Sequence, residues 1–131
     1  MKTKIRLISV IVAVLGLAGL ARADTITVGI GPGFDFNTIQ AAIDAAYDGD
    51  TILVADGTYT GDGNRNIDFL GKDIIVRSEN GALNCIIDVK ASPWDWHNNG
   101  FYLHKGEKKT SVIQGFTITG GHTYLGGDLL Q

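Results

Sequence analysis

The chain has 131 residues, of which 44% are hydrophobic and 19% charged, and its formal net charge is −3. An acidic chain is a poor candidate for nucleic-acid binding, because that affinity comes from Lys and Arg side chains that neutralise phosphates. Cys85 is the only cysteine, which excludes an internal disulfide and leaves packing as the source of stability. Its apolar setting, Asn-Cys-Ile-Ile-Asp-Val, predicts a buried thiol.

Residues 1–23 have the pattern of a secretory signal peptide. Lys2, Lys4 and Arg6 surround the start of an apolar run, and Ala21-Arg22-Ala23 fits the small-x-small cleavage rule. The run is shorter than the ~20 residues that span a bilayer, which argues against an uncleaved anchor. We expect a secreted, periplasmic or cell-surface protein with no membrane span after cleavage. The remaining chain has seven Lys and Arg against fourteen Asp and Glu, a net charge of −7.

The next segment predicts a strand followed by a helix. Residues 25–30 alternate polar and apolar residues, as a half-buried strand does. Residues 38–48 predict a short helix with Asn37 as its N-cap and Gln40 completing a capping box. One stripe of the helix is apolar and consists of Ile39, Ala42, Ile43 and Ala46.

After the helix, short apolar runs alternate with Gly, Asp and Asn, as strands and turns do. The predicted strands are residues 51–55, 66–70, 73–78, 84–89, 100–104 and 111–121. A shift of 22 residues aligns "TILVADGTY" with "DIIVRSENGA" and places Ile52 on Ile74. Such repeated units predict a parallel β-helix, in which apolar side chains stack between coils. An antiparallel sandwich is the alternative, but a helix just before the strands suits the capping of a solenoid end.

Three motifs resemble the N-terminal cap and first coil of pectin-lyase-like, right-handed parallel β-helix proteins. They are Thr-Ile-Gln-Ala-Ala-Ile-Asp-Ala-Ala (38–46), Gly-Asp-Thr-Ile-Leu-Val (49–54) and Gly-Thr-Tyr (57–59). The resemblance implies an all-β right-handed parallel β-helix with a short N-terminal capping helix and about three coils, of the exported bacterial type. We expect a signal peptide at 1–23, a cap at 24–50 and coils at 51–131 that are incomplete at the C-terminus, since such proteins usually have more coils.

The segment Asp-Gly-Asn-Arg-Asn-Ile-Asp (62–68) places oxygen side chains at alternate positions, as a calcium loop does. An EF-hand loop needs Gly at its sixth position and Glu at its twelfth, but Ile67 and Asp73 stand there. Asp, Gly and Asn also favour tight turns, and we expect a solenoid corner. The alternative is a surface calcium site made by Asp62, Asn64 and Asp68; we expect no other cofactor or metal.

The longest insertion between predicted strands is residues 91–100. We expect carbohydrate binding there, because aromatic faces beside amides and a carboxylate suit sugar rings. The candidate residues are Trp94, Asp95, Trp96, His97 and Asn98. The alternative is that a tryptophan anchors the loop.

The sequence leaves three functions open for an exported module of this kind. The first is binding of a polysaccharide, a cell-surface glycan or another partner without catalysis. The second is the N-terminal part of a polysaccharide lyase or hydrolase with its active site on further coils. The third is a structural cap or stalk. Catalysis in this segment is not expected, because Asp68, Lys72, Asp73 and Arg77 match no lyase or hydrolase motif and suit surface salt bridges.

Overall fold

The computed structural model describes residues 22–90 and 98–121, so most of the predicted signal peptide lies outside the described residues. The elements in chain order are β1 (Thr25–Val28), α1 (Ile39–Ala45), β2 (Thr51–Val54), β3 (Gly57–Thr60), β4 (Ile75–Ser78), β5 (Cys85–Asp88), β6 (Val112–Gln114) and β7 (Thr117–Thr119). One sheet has the order β1-β2-β4-β6 and the other the order β3-β5-β7. All of these strand pairs are parallel, so the chain forms a β-solenoid of about three turns and the sandwich alternative is wrong.

Inward-facing side chains form continuous stacks along the solenoid. In the first sheet Ile52 lies opposite Ile26 and Val76, and Val76 lies opposite Ile113. The predicted shift of 22 residues is wrong, because Ile52 pairs with Val76, 24 residues away. The physical reason is that a slip of two residues keeps every side chain on its face of the strand. The apolar pattern therefore predicted which residues point inward but left their partners undetermined.

Residues 66–70 and 100–104 lie outside the two sheets and form the third side of the coil. This side has less regular structure than predicted. Residues 66–70 and 100–104 contribute only an isolated parallel bridge between Ile67 and Phe101. Asn66 and Leu70 have φ angles of 49° and 59°, and this left-handed backbone limits the extended stretch between them. Phe69 packs edge-on against Phe101 with ring centroids 6.2 Å apart. Packing thus continues the core where the strand ladder stops.

The helix α1 covers the N-terminal end of the core. Its apolar stripe is buried as predicted: Ile39, Ala42, Ile43 and Ala46 are at most 2% exposed and α1 packs against β1 and β2. Its predicted start is wrong, because Thr38 is the N-cap and accepts a hydrogen bond from the Ala41 amide. Among the described residues, no helix has the length and apolar character needed to cross a bilayer.

Two long side chains join α1 to the next coil. Gln40 does not complete a capping box; its amide group bonds the main-chain N–H and C=O of Asp68 at 2.8 and 3.0 Å. Lys72 donates to the carbonyl oxygens of Ile43 and Asp44 at 2.6 and 3.0 Å. A cation at a helix C-terminus satisfies unpaired carbonyls and the helix dipole. These contacts fix the cap to the stack.

The core is apolar and contains the one thiol. Cys85 is fully buried, as predicted, and burial raises the pKa of its thiol to about 11, with Asp56 adding to the shift. Tyr59 is 1% exposed and its hydroxyl donates to the Ala55 carbonyl at 2.8 Å. The buried hydrophobic residues of the described ranges all fall between Val28 and Val89. A protein of residues 24–131 therefore retains this core.

Candidate functional site

The corner at residues 61–66 connects the cap to the first full coil. Asn64 is 6% exposed; its Oδ1 accepts a hydrogen bond from the Ile39 amide at 3.0 Å and its Nδ2 donates to the Thr60 carbonyl at 3.1 Å. Gly61 and Gly63 have φ angles of 79° and 85°, which a side chain would strain. The residue types of this corner are those that a tight turn requires.

The same corner bonds Asn98 and Asn99, near the end of the predicted insertion at residues 91–100. The Asn66 side chain accepts a hydrogen bond from the Asn99 amide at 2.9 Å, and the Asn66 amide donates to the Asn99 carbonyl at 2.6 Å. Arg65 reaches Asn98 at 3.5 Å and pairs with Asp62 at 2.9 Å. The base of the insertion is therefore attached to the preceding coil by side chains of residues 65 and 66.

The calcium alternative is not favoured by these contacts. Both ends of the Asn64 amide bond protein groups, and Asp62 pairs with Arg65. Asp68 Oδ1 accepts from the Leu70 amide at 2.7 Å, and Oδ2 lies 3.2 Å from Lys105 Nζ. Within the part of the chain that the structure describes, no three His, Cys, Asp or Glu side chains are grouped to hold a metal ion. The contacts of Asp62, Asn64 and Asp68 are therefore those of a solenoid corner.

The outer surface of the third side carries an aromatic and charged cluster. Tyr102 follows the bridging residue Phe101 and points outward, with 48% of its surface exposed. Its ring stacks on His104 with centroids 4.2 Å apart and an angle of 27° between the planes. Asp68 lies beside them, with Lys105 at 3.2 Å and His104 Nδ1 at 3.8 Å from Oδ2. We call Asp68, Tyr102, His104 and Lys105 the Tyr102 surface.

The Asp68 carboxylate is held in its charged form. Burial is the largest single influence and opposes ionisation, but the Leu70 amide, Lys105 and His104 together lower the pKa of Asp68 below its ordinary value. Hydrogen bonds and cations favour the charged state of a carboxyl. The Tyr102 surface thus presents a fixed carboxylate and an ammonium group side by side next to an aromatic ring.

The turn after this surface is fixed by Glu107. Its carboxylate accepts hydrogen bonds from the amides of Lys105 at 3.0 Å and Gly71 at 3.4 Å. Backbone amides, first its own and then that of Lys105, lower the pKa of Glu107 against the effect of burial. Lys108 pairs with Asp48 at 3.3 Å. These contacts attach residues 104–109 to the coil below and position His104 and Lys105.

The predicted carbohydrate-binding residues fall into two groups. Trp94, Asp95, Trp96 and His97 lie outside the described residues, and their role stays a prediction. Asn98 is 4% exposed and contacts Arg65, which places it at the base of the insertion. The sequence interpretation did not select Tyr102 or His104. The alternation of Phe101 and Tyr102 within the predicted strand was the signal that could have identified the outward aromatic ring.

The residues considered for lyase chemistry have separate contacts. Lys72 bonds the carbonyls at the end of α1, and Asp73 accepts a hydrogen bond from the Thr110 hydroxyl at 2.7 Å. Arg77 is exposed on β4, beside Leu53 and Gln114 in the sheet. Of the four residues considered, only Asp68 lies on the Tyr102 surface.

Comparison of the chain with protein-family models, curated proteins and solved structures gives no match. The function is therefore inferred from the geometry of the described residues and from the sequence, without the help of known relatives.

Proposed function

We propose that this chain is an exported, right-handed β-helix module of the pectin-lyase-like type that binds carbohydrate without catalysis in this segment. The observation that carries the proposal is the exposed Tyr102 ring, stacked on His104 beside the Asp68–Lys105 pair. The signal-peptide pattern of residues 1–23 supports export to the periplasm, the cell surface or the medium. The motifs at 38–59 support the β-helix type.

The chemistry of the Tyr102 surface suits a sugar ring. An aromatic face offers apolar contact to the C–H groups of a sugar, and neighbouring polar groups orient its hydroxyls. Asp68 is an acceptor and Lys105 a donor within 3.2 Å of each other. Because their charges compensate, and because the chain after residue 23 carries −7, we propose a neutral oligosaccharide rather than a polyanion.

The fold supplies the rigidity that such a surface needs. Asp68 is fixed through its backbone by Gln40, and its carboxylate is fixed by Leu70 and Lys105. Tyr102 is held by its amide, which donates to the Ile67 carbonyl at 2.8 Å. Binding groups placed in advance reduce the ordering cost of association. The insertion that carries Trp94 and Trp96 lies outside the described residues up to residue 97, and carbohydrate binding by its tryptophans stays a separate prediction.

The proposal is tested by calorimetric titration of residues 24–131 with a panel of neutral and acidic oligosaccharides. We expect binding of a neutral sugar that Tyr102→Ala weakens at least tenfold, on the order of the 1.4 kcal/mol that a stacked ring contributes. Tyr47→Ala is the matched control, because Tyr47 is 80% exposed beyond the end of α1. Unchanged binding by Tyr102→Ala would contradict the proposed surface, and an entirely inert panel would contradict the function.

A further inference from the structure

Asp50 carries a buried carboxylate between α1 and β2. The residue is 4% exposed, and none of the ion pairs formed by the described residues includes its side chain. Its Oδ2 accepts a hydrogen bond from the Tyr47 amide at 2.8 Å, and its Oδ1 accepts one from the Asp24 amide at 2.9 Å. Both donors are neutral main-chain groups. Because a buried charge is costly unless an opposite charge is close, a cation at this position would stabilise the carboxylate.

The donor to Oδ1 is the residue that follows the predicted cleavage site. Residues 22–24 are exposed and lie ahead of β1, outside the helices and strands. The Ala21-Arg22-Ala23 pattern places the bond to be cut between Ala23 and Asp24. When a peptidase adds water across this bond, Ala23 receives a carboxylate and Asp24 an α-amino group. An α-amino group has an ordinary pKa of about 7.7–8.0 and is mostly an ammonium at neutral pH.

We propose that removal of residues 1–23 creates an ion pair between the α-ammonium of Asp24 and the Asp50 carboxylate, and that this pair stabilises the mature fold. The nitrogen and the oxygen are already 2.9 Å apart, within the range of a charge-assisted hydrogen bond. A charged donor thus replaces a neutral N–H at the same position, with no rearrangement of the chain. The inference rests on the proposed export, since the cleavage of residues 1–23 belongs to export.

The backbone holds both partners in place for this pair. The Asp24 carbonyl oxygen accepts a hydrogen bond from the Thr51 amide at 2.8 Å, and β1 begins one residue later with Thr25 opposite Thr51. Asp50 is fixed as well, because its amide donates to the Tyr47 carbonyl at 3.1 Å. Groups that are positioned in advance lose little freedom when they pair. The ion pair therefore connects the first residue of the processed chain to the end of the cap.

The surroundings of the new terminus are acidic. The exposed Asp24 side chain lies 3.6 Å from Arg22 Nε, and cleavage removes that cation together with the rest of residues 1–23. Asp35 lines the same surface hollow as Asp24. Carboxylates near an amine favour its protonated state. Asp24 and Asp35 thus help to keep the terminus charged, and Asp50 at 2.9 Å is its direct partner.

The position of the new terminus is tested with the full chain. It is produced in a bacterial host that exports proteins with cleavable signal peptides, and the exported product is sequenced from its N-terminus. We expect Asp24 as the first residue. Any other first residue, Met1 included, overturns the proposal because the ammonium would then lie away from Asp50. Such a result would leave sugar binding by the Tyr102 surface untouched, so the two proposals fail separately.

The stabilisation is tested with two chains that differ only at the terminus. Residues 24–131 are compared with residues 22–131 carrying Arg22→Ala, which have the same net charge but a neutral peptide amide at Asp24. Urea denaturation should give a folding equilibrium constant about tenfold larger for the shorter chain, because a charge-assisted hydrogen bond replaces a neutral one. The difference should disappear when both chains carry Asp50→Asn. No difference between the parent chains, or one that Asp50→Asn leaves unchanged, overturns the proposal.

A second measurement needs no substitution of Asp50 and so guards against a folding defect in Asp50→Asn. The α-amino group is acetylated with an amine-reactive ester at pH 7, and its reaction is followed by mass spectrometry. A terminus held in an ion pair reacts slowly, since the amine must first leave the carboxylate and lose its proton. We expect residues 24–131 to react at least tenfold more slowly than the longer chain, and at a similar rate in urea that unfolds both. Equal rates in the folded proteins overturn the proposal.

Discussion

The side-chain oxygen of Asn64 lies 3.0 Å from the amide nitrogen of Ile39, 25 residues earlier in the chain. Ile39 is the first residue of α1, and the first amides of a helix have no partner within the helix. Asn64 therefore caps the helix from the neighbouring coil, while Thr38 caps it from within. The corner that resembles a calcium loop in sequence functions in the structure as a connection between the cap and the coils.

Replacement of this asparagine should be costly. Asn64→Ala leaves the Ile39 amide and the Thr60 carbonyl without their partners, and we expect a loss of about 1–3 kcal/mol in the free energy of unfolding. Asp62→Ala in the same corner removes an exposed pair with Arg65 and should cost less than about 1 kcal/mol. Urea denaturation of the two variants measures both values. Equal stability of the two variants would contradict the capping role of Asn64.

The cap should be essential to stability. Ile43 is fully buried on the inner face of α1, so Ile43→Asp places a carboxylate against an apolar stack and should cost several kcal/mol. Ala45→Asp, on the exposed side of the same helix, should cost under about 1 kcal/mol. Thermal unfolding followed by circular dichroism compares the two. A small effect of Ile43→Asp would show that α1 does not seal the end of the core.

Most of the fold was predictable from the sequence, because buried positions are apolar and alternate with polar positions along each strand. Inward residues such as Ile52 and Ile87 were identifiable from the apolar pattern, and the helix from its stripe. The register between strands of successive coils was not identifiable, because a slip of two residues preserves the apolar pattern. The N-cap was placed one residue too early because both Asn37 and Thr38 are favourable caps and only tertiary contacts select between them.

The candidate site was harder to predict. The Tyr102 surface is formed by residues 34 positions apart, Asp68 and Tyr102, and their proximity depends on the register of the third side. The sequence interpretation selected the tryptophan-rich insertion instead, since aromatic residues in a loop are the stronger local signal. A turn is present at Asp62 and Gly63, as expected, but the bonds of this corner to Ile39 and Asn99 are long-range and leave no local pattern.

Calcium should have no effect on stability. Because protein groups bond the oxygens of Asp62, Asn64 and Asp68, we expect the melting temperature of residues 24–131 to be the same with millimolar calcium as with a chelator. A ligand that binds only the folded state would raise it. An increase that Asp62→Ala or Asp68→Ala abolishes would instead establish the calcium site.

Acid should destabilise the protein through Asp68. Its pKa in the folded state is lowered, so its stabilising contribution is present above the ordinary value of about 3.9 and is lost as the pH falls through the folded value. We expect the melting temperature to stay level from about pH 7 to 5 and to fall below about pH 4. Asp68→Asn should be less stable near neutrality and should show a shallower acid decline. An identical decline in both proteins would assign the acid sensitivity to other carboxyl groups.

Nuclear magnetic resonance mapping of a bound oligosaccharide tests the central claim most directly. Residues 24–131, labelled with nitrogen-15, are titrated with the tightest neutral sugar from the calorimetric panel. We expect the largest amide shifts at Asp68, Tyr102, His104 and Lys105, with smaller shifts at the base of the insertion. Shifts confined to the outer faces of β2 and β4, around Leu53 and Arg77, would contradict it.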